Sequence, residues 1–179
     1  GKIVDWLTDH YDIVGRYNGG ANAGHTVRIG TEKYAFHLMP SGVLHKGVVG
    51  VIGPGVVLDP DVLNEEVILL RDRGIALDDT LRVSDRAHVV MPYHKKQDKL
   101  SEQALGSGSK IGTTARGIGP CYADKMYRAT AIRVCDLYAV NELEPRLRTI
   151  VEQRNKMFAA LYGDTEPLDL KELLAACAR

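Results

Sequence analysis

The sequence has no excess of charge of either sign: 23 Lys and Arg stand against 23 Asp and Glu, a formal net charge of 0. Broad electrostatic capture of nucleic acid or of an anionic membrane needs a basic face, so neither partner is expected. Cysteine is scarce. Cys121, Cys135 and Cys177 form an odd set without metal-ligand spacing, which argues against a disulfide framework and for a reducing, cytoplasmic setting. Long apolar runs are missing too. The most apolar stretch, residues 48–58, is interrupted by Gly50, Gly53, Pro54 and Gly55 and falls well short of the ~20 residues that a spanning helix needs. Neither a charged-then-apolar leader nor an internal repeat is visible. The first residue is Gly1, and Lys2 to Leu7 already reads as the middle of a helix, so the sequence is expected to start inside an element.

What is present points to an ordered α/β chain. Its 179 residues suit one domain, or one with a small appendage, on a prior of ~100–200 residues per domain. A hydrophobic share of 45% allows a core, and 26% charged residues argue against a disordered chain. Ile3, Val4 and Leu7 have helical spacing, residues 12–17 read as a strand, and residues 27–29 and 33–38 flank Gly30-Thr31-Glu32 as a hairpin. Residues 48–52 read as a buried strand, Gly53-Pro54-Gly55 as a tight loop, and 56–58 as a short extension. Pro60-Asp61 opens a helix that Gly74 stops, residues 81–83 and 87–90 form a strand region, and Pro92 begins a polar helix ending near Gly106. Residues 120–128 suggest a helical turn, on which Lys125 and Arg128, three apart, share a face. Residues 133–137 are short and apolar. Residues 143–162 form an amphipathic helix with Leu147, Ile150, Val151 and Phe158 on one side, and 168–177 begin another. Strands alternating with helices imply a mostly parallel sheet flanked by helices, with a β-hairpin attached. An α/β core over residues 1–137 and a helical segment over 138–179 are expected.

Two loops of small residues carry the chemistry. The first, Asn18-Gly19-Gly20-Ala21-Asn22-Ala23-Gly24, leads into His25 and Thr26. Glycines let the backbone approach a ligand, and successive N–H groups make an anion-binding concavity. His25 titrates near neutrality, Thr26 brings a hydroxyl, and Asn22 both donates and accepts. A plain strand-to-hairpin turn with a solvated histidine explains the same residues. The second loop spans residues 106–119 and holds Lys110, Thr113, Thr114 and Arg116 among glycines. It can cradle phosphate or be a surface loop. It is not a Walker loop, because Lys110 lacks the Gly-Lys-Ser/Thr close. His37, His45, His88 and His94 lack ligand spacing and read as packing or surface groups; Cys121 reads as a small hydrophobe, and Asp59 and Asp61 as helix-start signals.

Residues 16–26, with His37-Leu38-Met39-Pro40-Ser41-Gly42, Gly53-Pro54-Gly55-Val56-Val57-Leu58 and the signature running from Ile111 to Lys125, resemble the amino-terminal half of the adenylosuccinate synthetase family. The resemblance covers essentially the whole chain. It implies a P-loop-NTPase-like synthetase fold, truncated at both ends. It also implies a GTP-dependent ligase of purine nucleotide synthesis that forms adenylosuccinate from inosine monophosphate and L-aspartate through a 6-phosphoryl intermediate, with Mg²⁺ as cofactor. By the resemblance His25 is the catalytic proton donor. Asn22, Ala23, Gly24, His25, Thr114 and Arg128 belong to the inosine monophosphate site. Gly1, Lys2, Gly24, His25 and Thr26 belong to the GTP site, and the Gly24 carbonyl ligates the metal. Arg128 matches an arginine that reaches the neighbouring subunit's site, which implies a homodimer. Lys125 receives no separate role.

Two departures from the family pattern stand out. Of the family's phosphate loop only Gly1-Lys2 is present, without the aspartate that serves as base, so the chain alone is expected to be inactive. Ala115 replaces a glycine often found in the second loop, which is expected to restrict that loop's closing. A non-catalytic purine-nucleotide-binding module, or a structural remnant, remains the alternative reading.

Overall fold

A computed structural model describes residues 2–29, 31–105 and 112–178. Gly1, expected at the GTP site, and Lys110 with the start of the second loop lie outside the described residues. The chain divides into two compact units, residues 1–87 and 88–179. Among the described residues no helix is long and apolar enough to cross a membrane.

The first unit is built on a parallel sheet with strand order β1-β4-β5, where β1 is Ile13–Gly19, β4 is Val49–Leu58 and β5 is Leu81–Val83. Parallel neighbours need a crossover. Between β4 and β5 it is helix α2, Pro60–Asp72. Between β1 and β4 the chain makes an antiparallel hairpin, β2 (His25–Ile29) with β3 (Glu32–Phe36), followed by a 3-10 turn at Ser41–Leu44. The expected α/β class with a parallel sheet and hairpin is thus present. A short helix α1, Lys2–Thr8, precedes β1. It forms where expected, yet Ile3, Val4 and Trp6 stay exposed; it is tied instead through Asp5 and Asp9, whose carboxylates lie 3.1 and 3.0 Å from the two ring nitrogens of His45.

In this sheet one expectation is overturned. Gly53-Pro54-Gly55 is no loop, because β4 runs unbroken through it. The register with β1 shifts there: Arg16 pairs with Ile52 but Asn18 with Gly55, so two residues of β4 oppose Tyr17 alone. This is a bulge, the place in a sheet where a proline is tolerated. The flanking glycines let the two backbones touch. A Cβ at Gly55 would sit 2.1 Å from the Tyr17 carbonyl oxygen.

Around this sheet two apolar clusters form. Tyr34, Phe36, Met39, Val43, Leu70 and Leu77 make one, and Ala21, Leu38, Ile52, Val56 and Leu58 the other. Helix α2 ends as expected at Gly74, whose φ of +75° suits only glycine well.

The second unit is helical. A two-residue strand β6 (His88–Val89) leads to helix α3, Pro92–Ala104; α4 (Ile118–Tyr127), α5 (Val140–Tyr162) and α6 (Leu170–Cys177) follow. The apolar side of α5 read from the sequence, Leu147, Ile150, Val151 and Phe158, is buried with Tyr93, Leu143 and Leu173 in one core. The helix stops at Gly163 (φ +65°), whose N–H donates to the Ala159 carbonyl at 3.1 Å, the single-bond closure of a left-handed cap.

Helix α4 starts two residues before the expected turn, with Pro120 inside its first turn, where a missing N–H costs nothing. It also ends earlier. Arg128 lies beyond it at φ +64°, so Arg128 and Lys125 do not share a helical face as expected. The reversal to a left-handed conformation after Tyr127 stops the helix, and the Arg128 N–H closes on the Asp124 carbonyl at 2.9 Å.

Candidate functional site

The first unit holds the stretch 22–26. Strand β1 extends to Gly19 (φ +84°), two residues further than the sequence suggested, and the chain turns back through 20–24. His25 opens β2 and pairs with Phe36 across the hairpin, so register decides where the imidazole points. The two ring centroids are 5.8 Å apart at 60°. The His25 ring is half-buried and borders a cavity of about 290 Å³, shared with Arg16, Tyr17, Asn18, Met39 and Ser41. Asn22, Ala23, Gly24 and Thr26 are exposed. Burial, followed by the Arg16 guanidinium, holds the His25 imidazole below its ordinary range. At neutral pH the resting ring is therefore neutral, with one N–H to donate.

Two residues fix this region, and neither was singled out from the sequence. Glu66 of α2 is only 5% exposed. Its carboxylate accepts the main-chain N–H groups of His37, Leu38 (3.1 Å) and Met39 (2.7 Å). From β1 the Arg16 guanidinium donates to the carbonyls of His37 and Gly20, the latter at 2.7 Å. The signal for Glu66 was present: it lies on the stripe Leu63, Val67, Leu70, where a carboxylate is out of place unless it has buried partners. Gly24 lies against the same segment, for a Cβ there would come within 3.2 Å of His37 Nε2.

The second unit holds the described end of the second loop, residues 112–117. Helix α3 secures it with two carboxylates. Asp98 accepts the Thr113 hydroxyl at 2.8 Å and the Gly117 N–H at 2.9 Å, and Glu102 accepts the Gly112 N–H at 2.7 Å. Thr114 is exposed and Arg116 half-buried. Ala115 sits at φ +53°, a left-handed conformation that glycine adopts without penalty and alanine does not. Gly117 (φ +73°) caps α4 and is wedged on α3, where a Cβ would lie 2.7 Å from both the His94 carbonyl carbon and the Lys95 nitrogen. Arg128 is exposed.

Behind that loop lies a buried polar chain. The Met91 N–H donates to His94 Nδ1 at 2.9 Å, so the proton of the neutral ring sits on Nε2 and is donated to Asp124 Oδ2, also at 2.9 Å. The other Asp124 oxygen pairs with Arg154 of α5. Burial keeps His94 below its usual range. Burial alone would raise Asp124, but the His94 N–H and the Arg154 charge outweigh it and hold the carboxyl below the usual range. The pair is neutral imidazole and carboxylate, a packing role for His94. His88, buried and facing Lys125 and Arg133, is pushed down to about 4. Cys121 is buried with its thiol pushed up to about 12 by burial, donating weakly to the Val89 carbonyl at 3.4 Å; it is the inert small hydrophobe expected. Asp59 and Asp61 sit at the start of α2, as read. Among the described residues no group of three His, Cys, Asp or Glu could hold a metal ion.

Comparison with known proteins matches the whole chain, residues 1–179, to the family described as adenylosuccinate synthetase. The chain is 50% identical over 173 residues to the adenylosuccinate synthetase of Thermoanaerobacter pseudethanolicus (strain ATCC 33223 / 39E), covering 97% of this chain and 40% of that protein. It is 48% identical to the Bacillus anthracis counterpart, covering 97% and 39%. The fully ligated adenylosuccinate synthetase from Plasmodium falciparum superposes with a TM-score of 0.81 at 36% identity, over 98% of this chain and 40% of that one. The chain thus spans about 40% of the length of the relatives it matches.

Proposed function

The chain belongs to the adenylosuccinate synthetase family, and from that premise we propose that it carries the amino-terminal share of a GTP-dependent ligase joining inosine monophosphate to L-aspartate. The purine 6-oxygen is a poor leaving group. Transfer of the GTP γ-phosphoryl to that oxygen, with loss of the ring N1 proton to a base, breaks the bond to the β–γ bridging oxygen, releases GDP and converts the 6-oxygen into a phosphate ester. The aspartate amine then bonds to C6 and loses a proton, the C6–O bond breaks, and phosphate departs. Phosphoryl transfer asks a protein chiefly for positioning and charge stabilisation.

The observation that supports this reading most is the His25 ring, half-buried and bordering the cavity at the end of the 20–24 turn. A neutral imidazole there donates its N–H to an oxygen of the transferring phosphoryl group, which eases the charge that develops on it. Asn22, with the main chain of Ala23 and Gly24, and Thr114 offer the donors that an inosine monophosphate site needs; Thr26, and Lys2 before it, belong with GTP. Arg128, exposed at the end of α4, is the residue assigned to the neighbouring subunit's site in a homodimer.

The family uses Mg²⁺. The donor offered here is the Gly24 carbonyl, a hard oxygen of the kind Mg²⁺ takes beside phosphates and water. A Cβ at Gly24 would crowd the tip of the His37 ring, which would have to give by a few tenths of an ångström. When bound, the ion neutralises charge on the phosphates.

Calorimetric titration of the chain with inosine monophosphate tests the reading. Saturable binding is expected, weakened roughly ten-fold or more by Asn22→Ala, the loss of one hydrogen bond to a charged ligand. A chain that shows no saturable heat with inosine monophosphate, alone or with GTP and Mg²⁺, refutes it.

A further inference from the structure

We infer that Glu66 and Arg16 are positioning residues that grip the main chain of His37 from its two sides and so fix the turn and strand that present His25. The inference deepens the function proposed above and rests on it for its chemical purpose; its geometry does not.

Three consecutive N–H groups, those of His37, Leu38 and Met39, converge on the buried Glu66 carboxylate. Such a nest needs an anion, and here helix α2 supplies it. On the other side of the same peptide, the His37 carbonyl accepts from Arg16. The guanidinium also takes the Gly20 carbonyl, at the start of the turn that leads to Asn22 and His25. One side chain thus ties the beginning of that turn to the segment that follows β3. His37 is next to Phe36, the residue that pairs with His25 in the hairpin and lies against its ring. Gly24 completes the circuit by packing on the His37 ring.

The test is NMR of the chain itself and of Arg16→Gln and Glu66→Gln at one fixed pH, with the His25–Phe36 ring contact and amide exchange at residues 37–39 as readouts and the thermal midpoint measured beside them. Both are expected to weaken the His25–Phe36 ring contact, and Glu66→Gln to speed exchange at the three amides roughly ten- to hundred-fold, as loss of charged hydrogen bonds predicts. Should Glu66→Gln fail to fold, Arg16→Lys decides. It keeps the charge but loses the two-pronged grip, so a weakened ring contact in a chain whose thermal midpoint is kept supports the inference. Ring contact and amide exchange equal to those of the parent chain in the folded variants overturn it. Inosine monophosphate binding, measured separately, reports on the proposed function and not on this clamp.

Discussion

The two units solve the same problem with the same device at different depths. In each, a helical carboxylate captures donors from a segment next to residues singled out from the sequence: Glu66 of α2 in the first unit, Asp98 of α3 in the second. Glu66 is buried and takes three successive main-chain N–H groups, whereas Asp98 is half-buried and takes one hydroxyl and one N–H. Water can replace the bonds to Asp98 when they break, but not those to Glu66. The first loop is thereby built in, and the second is held at its margin. The second unit buries its strongest polar chain elsewhere, behind the loop, in Arg154, Asp124 and His94.

The sharpest way to probe this contrast is at Asp124. Asp124→Ala leaves a buried guanidinium and imidazole without their carboxylate and is expected to cost about 3–5 kcal/mol, read as a fall in the denaturant midpoint. Next come the two anchors compared directly. Glu66→Ala is expected to cost about 3 kcal/mol and Asp98→Ala about 1 kcal/mol; equal losses would show that depth is not what separates them.

Acidification should weaken the second unit through His88. Its folded pKa, about 4, lies below its ordinary 6.5, so between these values the unfolded chain binds the proton and the folded chain does not. Stability therefore falls as pH drops from about 6.5 toward 4, by something on the order of 1–2 kcal/mol. A His88→Gln variant whose thermal midpoint follows pH as the parent's does would contradict this. The smallest effect is at Ala115. Ala115→Gly relieves a left-handed alanine at the cost of added chain entropy, for a net gain of about 1 kcal/mol or less.

Much of the architecture was legible because local pattern and tertiary context agree. Helix α5 carries its apolar stripe openly, and α2 carries both its opening proline and its closing glycine. Strand β4 was misread because Pro54 between two glycines is a loop signal on its own. Only the single residue opposite, Tyr17, makes it a bulge, and pairing partners are not written in the sequence. Arg128 was misread for a similar reason, since nothing in its neighbours announces a left-handed turn. At the site, the small residues and His25 were visible from their types. The exposure of the ring to a cavity was not, because it follows from hairpin register and from Glu66, twenty-nine residues beyond the segment it holds. His94 was read only as a packing or surface group; that it is buried was not legible, because its carboxylate partner lies thirty residues away.

Gly117 has a consequence outside the chemistry. Its φ of +73° disfavours any side chain, and the backbone of His94 and Lys95 occupies the volume where one would go. Two independent physical vetoes therefore fall on one position, and no neighbouring change lifts both. A chain with any other residue at this position would have to shift α3 or the start of α4, and so would lose the seating of one helix upon the other.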